Sequence, residues 1–397
     1  MVKVDSEKIQ QILSRGVEEI IDREHLEKRL LSGEKLRIKH GIDPTGPKIH
    51  LGRAAQFQKL AEFQELGHKI VLIIGDYTAQ IGDASDKLSM RPVLSSSQIK
   101  ENMKGYRAQI GKILDMKKIE FHYNSEWLGA LRAKDLLNLA MKFTAQQMIQ
   151  RRNFKERWEQ GKEIGLHELT YPLFQGYDSV MVKADLEIGG TDQTFNLLAG
   201  RKIQEAFGQA PQDIMTLKML SGLDGRKMST SWGNLVNIID PPGEMYGKLM
   251  SMRDEMILQY FELCTQVTLR EIKKIERALR GGANPRDWKA KLAFEIVKLY
   301  HGAEEAKRAE GEFNRVFREK ELPEDVPEYK IKKKKYKLID LLAESKLAPS
   351  KSRTRQLIEQ GGVRINGQPV KDWRYEFLPK SGMIIKVGKR RFIKLIT

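Results

Sequence analysis

Three short stretches of this 397-residue chain carry side chains suited to chemistry. The first, DPTGPKIHLGR at 43–53, sets Thr45, His50 and Arg53 around Gly52 where an amphipathic pattern begins. A helix N-terminus exposes backbone N–H groups at the positive end of its dipole, which favours an anion. Gly52 lets backbone approach a ligand, and Thr45, His50 and Arg53 can donate hydrogen bonds to phosphate oxygens. The same residues would equally serve an ordinary turn before a helix, with His50 bonded to a carbonyl. The second stretch, GLDGRKMSTSWGN at 222–234, is glycine-rich and brings Arg226, Lys227, Ser229, Thr230 and Ser231 behind an apolar strand pattern. Two phosphate-suited loops on one sheet imply a triphosphate held from both sides. In the third, YPLFQGYDSV, Tyr171, Gln175 and Asp178 stand at i, i+4 and i+7, so one helix points all three the same way. Leu173, Phe174 and Tyr177 surround them, which suits a lined cavity better than a polar face toward solvent.

The elements that must position these groups alternate. KLRIKHGI (35–42) reads as a strand, RAAQFQKLAEFQELG (53–67) as a helix ending at Gly67, and KIVLIIGD (69–76) as a buried strand, a βαβ unit. VMVKADLEIGG, a helical DQTFNLLAGRKIQEAFG and the apolar DIMTLKML continue an α/β pattern, a parallel sheet with helices on both faces. Ile9, Ile12, Leu13, Ile20, Leu26 and Leu30 predict one or two surface helices over 1–32, and residues 92–178 read as a mainly helical insertion. From DPPGEMYGKLM (240–250) to about 320 the pattern is all-α. REKELPEDVPEYKIKKKKYK (318–337), with its prolines and charge run, has the composition of a solvated linker. Beyond it come two short helices, the second starting at a serine and stopped by glycines, and then VRINGQPV with a hairpin turn at Asn366-Gly367. This last module is α+β. The expected boundaries are 1–235, 236–322, a basic linker at 323–336, and 337–397.

Charge divides the chain further. Of the formal +17, a surplus of 14 lies between Lys330 and Lys394, where 19 Lys/Arg face five Asp/Glu. Such concentration predicts a polyanionic partner, nucleic acid above all, bound with counterion release. Cys264 alone excludes intramolecular disulfides and cysteine-rich zinc sites. Apolar runs such as IVLII at 70–74 are far shorter than the ~20 residues a membrane helix needs. The N-terminus lacks the apolar core of a signal peptide, so a cytoplasmic location is expected.

His-x-Gly-x in the first loop with Lys-Met-Ser-x-Ser in the second resembles the paired signatures of class I aminoacyl-tRNA synthetases. YPLFQGYDSV, GGTDQTFN, GIDPTG, IIGDYTAQIGD and NSEWL resemble the bacterial tyrosyl-tRNA synthetase family over nearly the whole chain. SKSRTRQLIEQGGVRINGQPV is similar to the RNA-binding fold named after a small-subunit ribosomal protein. The resemblance implies a Rossmann-like catalytic domain, L-tyrosine, ATP and tRNA(Tyr) as partners, and a homodimer formed through the insertion. It also implies Mg²⁺ accompanying ATP, held mainly by phosphate oxygens and water, with no metal site of the protein's own.

Residue by residue, the resemblance implies that Tyr171, Gln175 and Asp83 grip the α-ammonium and Asp178 accepts the phenol's hydrogen bond, with Lys39, Thr78 and Gln193 beside the tyrosine. A buried carboxylate left without a hydroxyl partner is costly, so phenylalanine would be rejected. His40, Gly41, Asp43, Gly52, Gly190, Asp192 and Lys227 would meet the nucleotide; Asp192 would accept ribose hydroxyls or else cap a helix. Thr45, His50, Arg53, Lys227, Ser229 and Thr230 would stabilise charge on the phosphates, and Lys87 and Arg91 would belong to a mobile basic loop attending pyrophosphate. Lys351, Arg353 and Arg355 would contact RNA. The run containing Lys332 and Lys333 reads as an import signal, a solvated linker or an arm on the RNA backbone. The implied reaction needs no protein nucleophile: tyrosine's carboxylate displaces pyrophosphate at the α-phosphorus, and the tyrosyl group then passes to the terminal adenosine of tRNA.

Four positions depart from the family pattern. Arg53 replaces the second histidine and Thr230 the second lysine of the signatures, suggesting that Arg53 partly offsets the missing lysine. Lys39 stands where many members aim a tyrosine at the phenol, and His40 where others often have cysteine. The first pair of departures keeps open a synthetase-like RNA-binding protein without charging activity; a tryptophan-specific relative is opposed by Asp178 and by the C-terminal module.

Overall fold

Six strands build the main sheet: β1 (Val17–Ile21), β2 (Arg37–Ile42), β3 (Lys69–Ile74), β4 (Glu120–Tyr123), β5 (Leu186–Gly190) and β6 (Asp213–Leu217). They belong to a computed structural model that describes residues 2–83, 94–228, 232–318, 326–348, 350–388 and 391–396. β3 and β5 are buried almost throughout, as central strands between helical layers must be; β3 is a continuous apolar run, while β5 buries Glu187 within it. Helix Leu51–Leu66 carries the chain from β2 to β3 and stops at Gly67, whose φ of 97° is left-handed. The strand order is β1-β6-β5-β2-β3-β4. The chain thus builds outward from β2 to β4, then returns to β5 and β6 on the other side of β2. Between β2 and β5 the order reverses, and the crevice beyond their carboxyl ends is where open α/β sheets bind ligands.

Two edges of this sheet differ from the sequence reading. Val17–Ile21, expected within surface helices, is a strand antiparallel to β6. Glu120–Tyr123, inside the expected helical insertion, extends the sheet parallel to β3. Both are edge strands of four or five residues with charged or polar members, so neither has the apolar run that marks the central strands.

The chain divides into two compact units, residues 1–306 and 307–397. Within the first, helices Leu166–Val182 and Thr194–Ala206 pack tightly because Gly176 has no side chain: a Cβ there would sit 3.2 Å from the backbone of Ala199 and 2.6 Å from Ile203 Cδ1. Helices Pro242–Met250, Ile257–Cys264, Leu269–Arg280 and Pro285–His301 also belong to this unit. Arg15, largely buried, donates to the carbonyls of Phe261, Glu262, Thr265 and Val267, fastening the N-terminal segment to the end of helix Ile257–Cys264.

The second unit holds a five-stranded sheet and helices Leu338–Glu344 and Lys351–Glu359 around Leu338, Leu341, Ile358, Val363, Ile385 and Leu395. Ser350 caps the second helix, and Asn366 and Gly367, at φ 46° and 82°, turn the hairpin. Part of the expected linker is structured: Glu328–Lys330 is a strand parallel to Arg391–Ile396. No helix among the described residues is long and apolar enough to cross a membrane.

Candidate active site

A cavity of about 270 Å³ opens at the carboxyl ends of β2 and β5 and is lined by both loops and by the helix Leu166–Val182. His40, Gly41, Asp43, Thr45, His50, Gly52, Arg53, Thr78 and Asp83 line it, as do Tyr171, Gln175, Asp178, Gly190, Asp192, Gln193 and Lys227. The two loops meet: a Cβ on Gly52 would lie 3.1 Å from Met228 Sδ and 3.2 Å from His50 Nδ1. Lys87, Arg91, Ser229 and Thr230 lie outside the described residues.

His50 has extended backbone at the start of helix Leu51–Leu66 but makes no side-chain cap. Its Nδ1 is buried without a hydrogen-bond partner among the described residues, which leaves the turn-and-carbonyl alternative without support. Burial, and secondarily Arg53, push its pKa down to about 3, so the ring is a neutral donor or acceptor rather than a cation. Arg53 Nη2 donates to Thr45 Oγ1 at 2.9 Å and Nη1 to the Tyr106 hydroxyl at 3.1 Å, fixing the first loop while facing the cavity. In the second loop Arg226 turns back to Asp224 and lies 4.6 Å over the Trp232 ring, whereas Lys227 lines the cavity and its carbonyl accepts from Asn234.

Asp43, at the end of β2, accepts from Thr78 Oγ1 at 2.8 Å and from the Tyr171 hydroxyl at 3.0 Å. Gly75 makes this possible, since a Cβ there would fall on the Asp43 carboxylate. Desolvation pushes the Asp43 carboxyl up to about 6, against both hydrogen bonds. Asp192 sits in the short 3-10 turn Thr191–Gln193 and is the cap residue of neither that turn nor the following helix. His40 bonds the Ile188 carbonyl through Nδ1 at 2.8 Å, and burial lowers its pKa. Gln193 Nε2 donates to Asp83 at 2.7 Å.

The pocket floor is polar and buried. Asp178, 4% exposed, accepts from Trp127 Nε1 at 2.7 Å and Asn124 Nδ2 at 3.3 Å. Burial raises its carboxyl to about 7. Lys39, expected beside the tyrosine, does not line the cavity: its ammonium is spent on Glu187, the Gln175 carbonyl and Ser179. Sequence reasoning missed Trp127, Asn124 and Glu187 as participants. It also missed Arg151, buried over the Phe154 and Phe195 rings at 4.8 and 5.2 Å and 3.6 Å from Asp83. Opposite charges interrupting two adjacent buried strands, Lys in RIKHGI and Glu in LEIGG, were the available signal for the Lys39–Glu187 pair.

Comparison with known proteins divides the chain about a dozen residues beyond the boundary between the two units. Residues 31–318 match the family "tRNA synthetases class I (W and Y)" and residues 319–395 the "Tyrosine--tRNA ligase SYY-like C-terminal domain". The chain is 46% identical to a tyrosine–tRNA ligase of Thermotoga maritima over 386 residues, 97% of this chain and 96% of that one. The chain belongs to the class I tyrosyl-tRNA synthetase family. A tyrosine–tRNA ligase of Aquifex aeolicus is 44% identical over 97% of this chain and 98% of its own length. Among solved structures, a C-terminally truncated mitochondrial tyrosyl-tRNA synthetase of Aspergillus nidulans shares the fold at TM-score 0.64 and 23% identity, covering 78% of this chain and 94% of its own. The Aeropyrum pernix tyrosyl-tRNA synthetase does so at 0.62 and 22%, over 78% and 98%.

In the second unit of this family member, the cations expected to meet RNA are held by acidic or amide neighbours at the surface. Lys351 pairs with Asp340 at 2.7 Å, Lys333 with Glu344 at 2.5 Å and Arg355 with Glu359 at 2.8 Å; Arg353 donates to Gln356. The Lys332 backbone N–H donates to the Tyr336 hydroxyl, so the basic run is anchored to the domain. Arg355 and Arg374 both approach the Trp373 ring, at 4.7 and 5.0 Å.

Proposed function

We propose that this chain is a tyrosine–tRNA ligase that activates L-tyrosine with ATP and transfers it to tRNA(Tyr). The observation that carries the reading is that both signature loops face one cavity whose floor presents a buried carboxylate on donor groups. ATP is clasped between the helix start at Gly52 and the Lys227 segment, with His50 donating as a neutral imidazole and Lys227 supplying positive charge. Mg²⁺ travels with ATP on phosphate oxygens and water. Asp178 accepts the phenol O–H, while Tyr171, Gln175 and Asp83 receive the α-ammonium. Catalysis is then positioning plus stabilisation of charge developing on the phosphates.

The wider reading includes a homodimer, tRNA on the basic second unit, and a cytoplasmic setting. Leu137, Met141, Trp158 and Leu166 stand exposed in the inserted region, at 63, 72, 64 and 81%, which supports a second copy covering them. The deciding experiment is exchange of labelled pyrophosphate into ATP with each of the twenty amino acids. Exchange with tyrosine alone is expected; no exchange, or exchange driven by another amino acid, would overturn the reading.

A further inference from the structure

At the wall of the pocket, with Glu187 in its lining and Lys39 behind it, lies a buried ion pair that the reaction as described does not use. Lys39 in β2 and Glu187 in β5 are 0% and 1% exposed, with Nζ 2.9 Å from Oε1. The lysine also donates to the Gln175 carbonyl and to Ser179 Oγ, each at 2.7 Å. Glu187 accepts from Gln175 Nε2 and Ser179 Oγ, both at 3.1 Å, and from Gln212. Gln175 Oε1 accepts from Asn196, which also reaches Gln193, whose amide bonds Asp83. One hydrogen-bonded chain therefore runs along the pocket wall from the ion pair to Asp83. Gln175 and Ser179 share a helix with Asp178, so the pair braces the segment that carries the phenol acceptor.

We propose that Lys39 and Glu187 are positioning residues for tyrosine recognition: together they fix the Gln175 amide at the ammonium end, and through Ser179 they place opposite charges on the residue next to Asp178 at the phenol end. The proposal rests on reading Asp178 as the phenol acceptor. As a stability device such a pair is poor, because desolvating two charges offsets most of their attraction and apolar replacements often do as well. As a positioning device it is strong: all three ammonium hydrogens and both carboxylate oxygens have partners, so no rotamer is left to choose. The charged and titratable groups facing Asp178 are Lys39 from β2, Glu187 from β5 and Tyr171 from its own helix; Trp127 and Asn124 add neutral donors. Burial raises the Asp178 carboxyl, Lys39 opposes that rise, and Glu187 adds to it. Since a carboxylate accepts the phenol's hydrogen bond more strongly than a carboxylic acid, the pair governs the pH above which tyrosine is held well.

The test is tyrosine affinity from pH 5.5 to 9 in Lys39→Met, Glu187→Gln and Asp178→Asn, each verified as folded by its thermal melt. In Lys39→Met the acid limb should move up by about one pH unit, and in Glu187→Gln it should move down by a similar amount. A bracing role alone would weaken binding in both without shifting the limb, so unmoved limbs, or shifts of the same sign, overturn the proposal. If Lys39→Met does not fold, the Glu187→Gln arm decides: an unmoved or raised limb is contrary. Asp178→Asn should abolish the limb. If it leaves affinity and its pH dependence intact, the failure belongs to the phenol reading rather than to the ion pair.

Discussion

The Lys39–Glu187 pair and the Lys333–Glu344 pair are built from the same chemical groups at 2.9 and 2.5 Å, yet their surroundings give them opposite meanings. The first is almost wholly buried; the side chains of the second are 55% and 36% exposed. Removing one partner of a buried pair leaves an uncompensated charge, at a cost of about 3–5 kcal/mol. An exposed pair contributes about 0–1 kcal/mol and weakens with salt. The catalytic unit thus uses charge to fix geometry. The terminal unit holds its cations at the surface, on partly exposed carboxylates.

The largest expected effect that sharpens this contrast is at the phosphate loops. Lys227→Met should slow single-turnover tyrosyl-adenylate formation by roughly 10²- to 10³-fold, because a cation aimed at developing phosphate charge is lost, while tyrosine affinity stays unchanged. A parallel loss of tyrosine affinity would mean that the loop and the floor are not separate devices. Replacing Arg353 and Arg355 together by Ala should weaken tRNA binding about tenfold and lower the salt slope by about 1 for each phosphate no longer neutralised, leaving adenylate formation intact.

A smaller effect is thermodynamic. Burial pushes the Asp178 carboxyl up to about 7 from the ordinary aspartate value of about 4, so folding favours its protonated form. That contribution is present below about pH 4 and is lost as pH rises through 7. Measured against Asp178→Asn, the ligand-free protein should therefore lose about 1–3 kcal/mol, a few degrees in Tm, between pH 5 and 8. A gap between the two melting curves that does not change with pH would contradict the buried, raised carboxyl.

What was legible in the sequence followed from local signals. Apolar runs located β3 and β6, Gly67 ended its helix, and the spacing of Tyr171, Gln175 and Asp178 placed all three on one cavity. β1 and β4 escaped because VEEII and EFHY carry no run or alternation strong enough to mark a short edge strand. Asn124 and Trp127 escaped because they reach Asp178 across more than 50 residues, a pairing that only the assembled sheet creates. The family resemblance implied Lys39 beside the tyrosine, but the residue that claims its charge lies 148 positions away in β5.

The central claim is that a buried Asp178 chooses the amino acid by its hydroxyl. Its most direct test is the ratio of kcat/KM for tyrosine over phenylalanine in pyrophosphate exchange, measured for the natural protein and for Asp178→Asn. Loss of a buried, charged hydrogen-bond acceptor should lower that ratio by about 10²-fold. An unchanged ratio would show that discrimination resides elsewhere and would contradict the account.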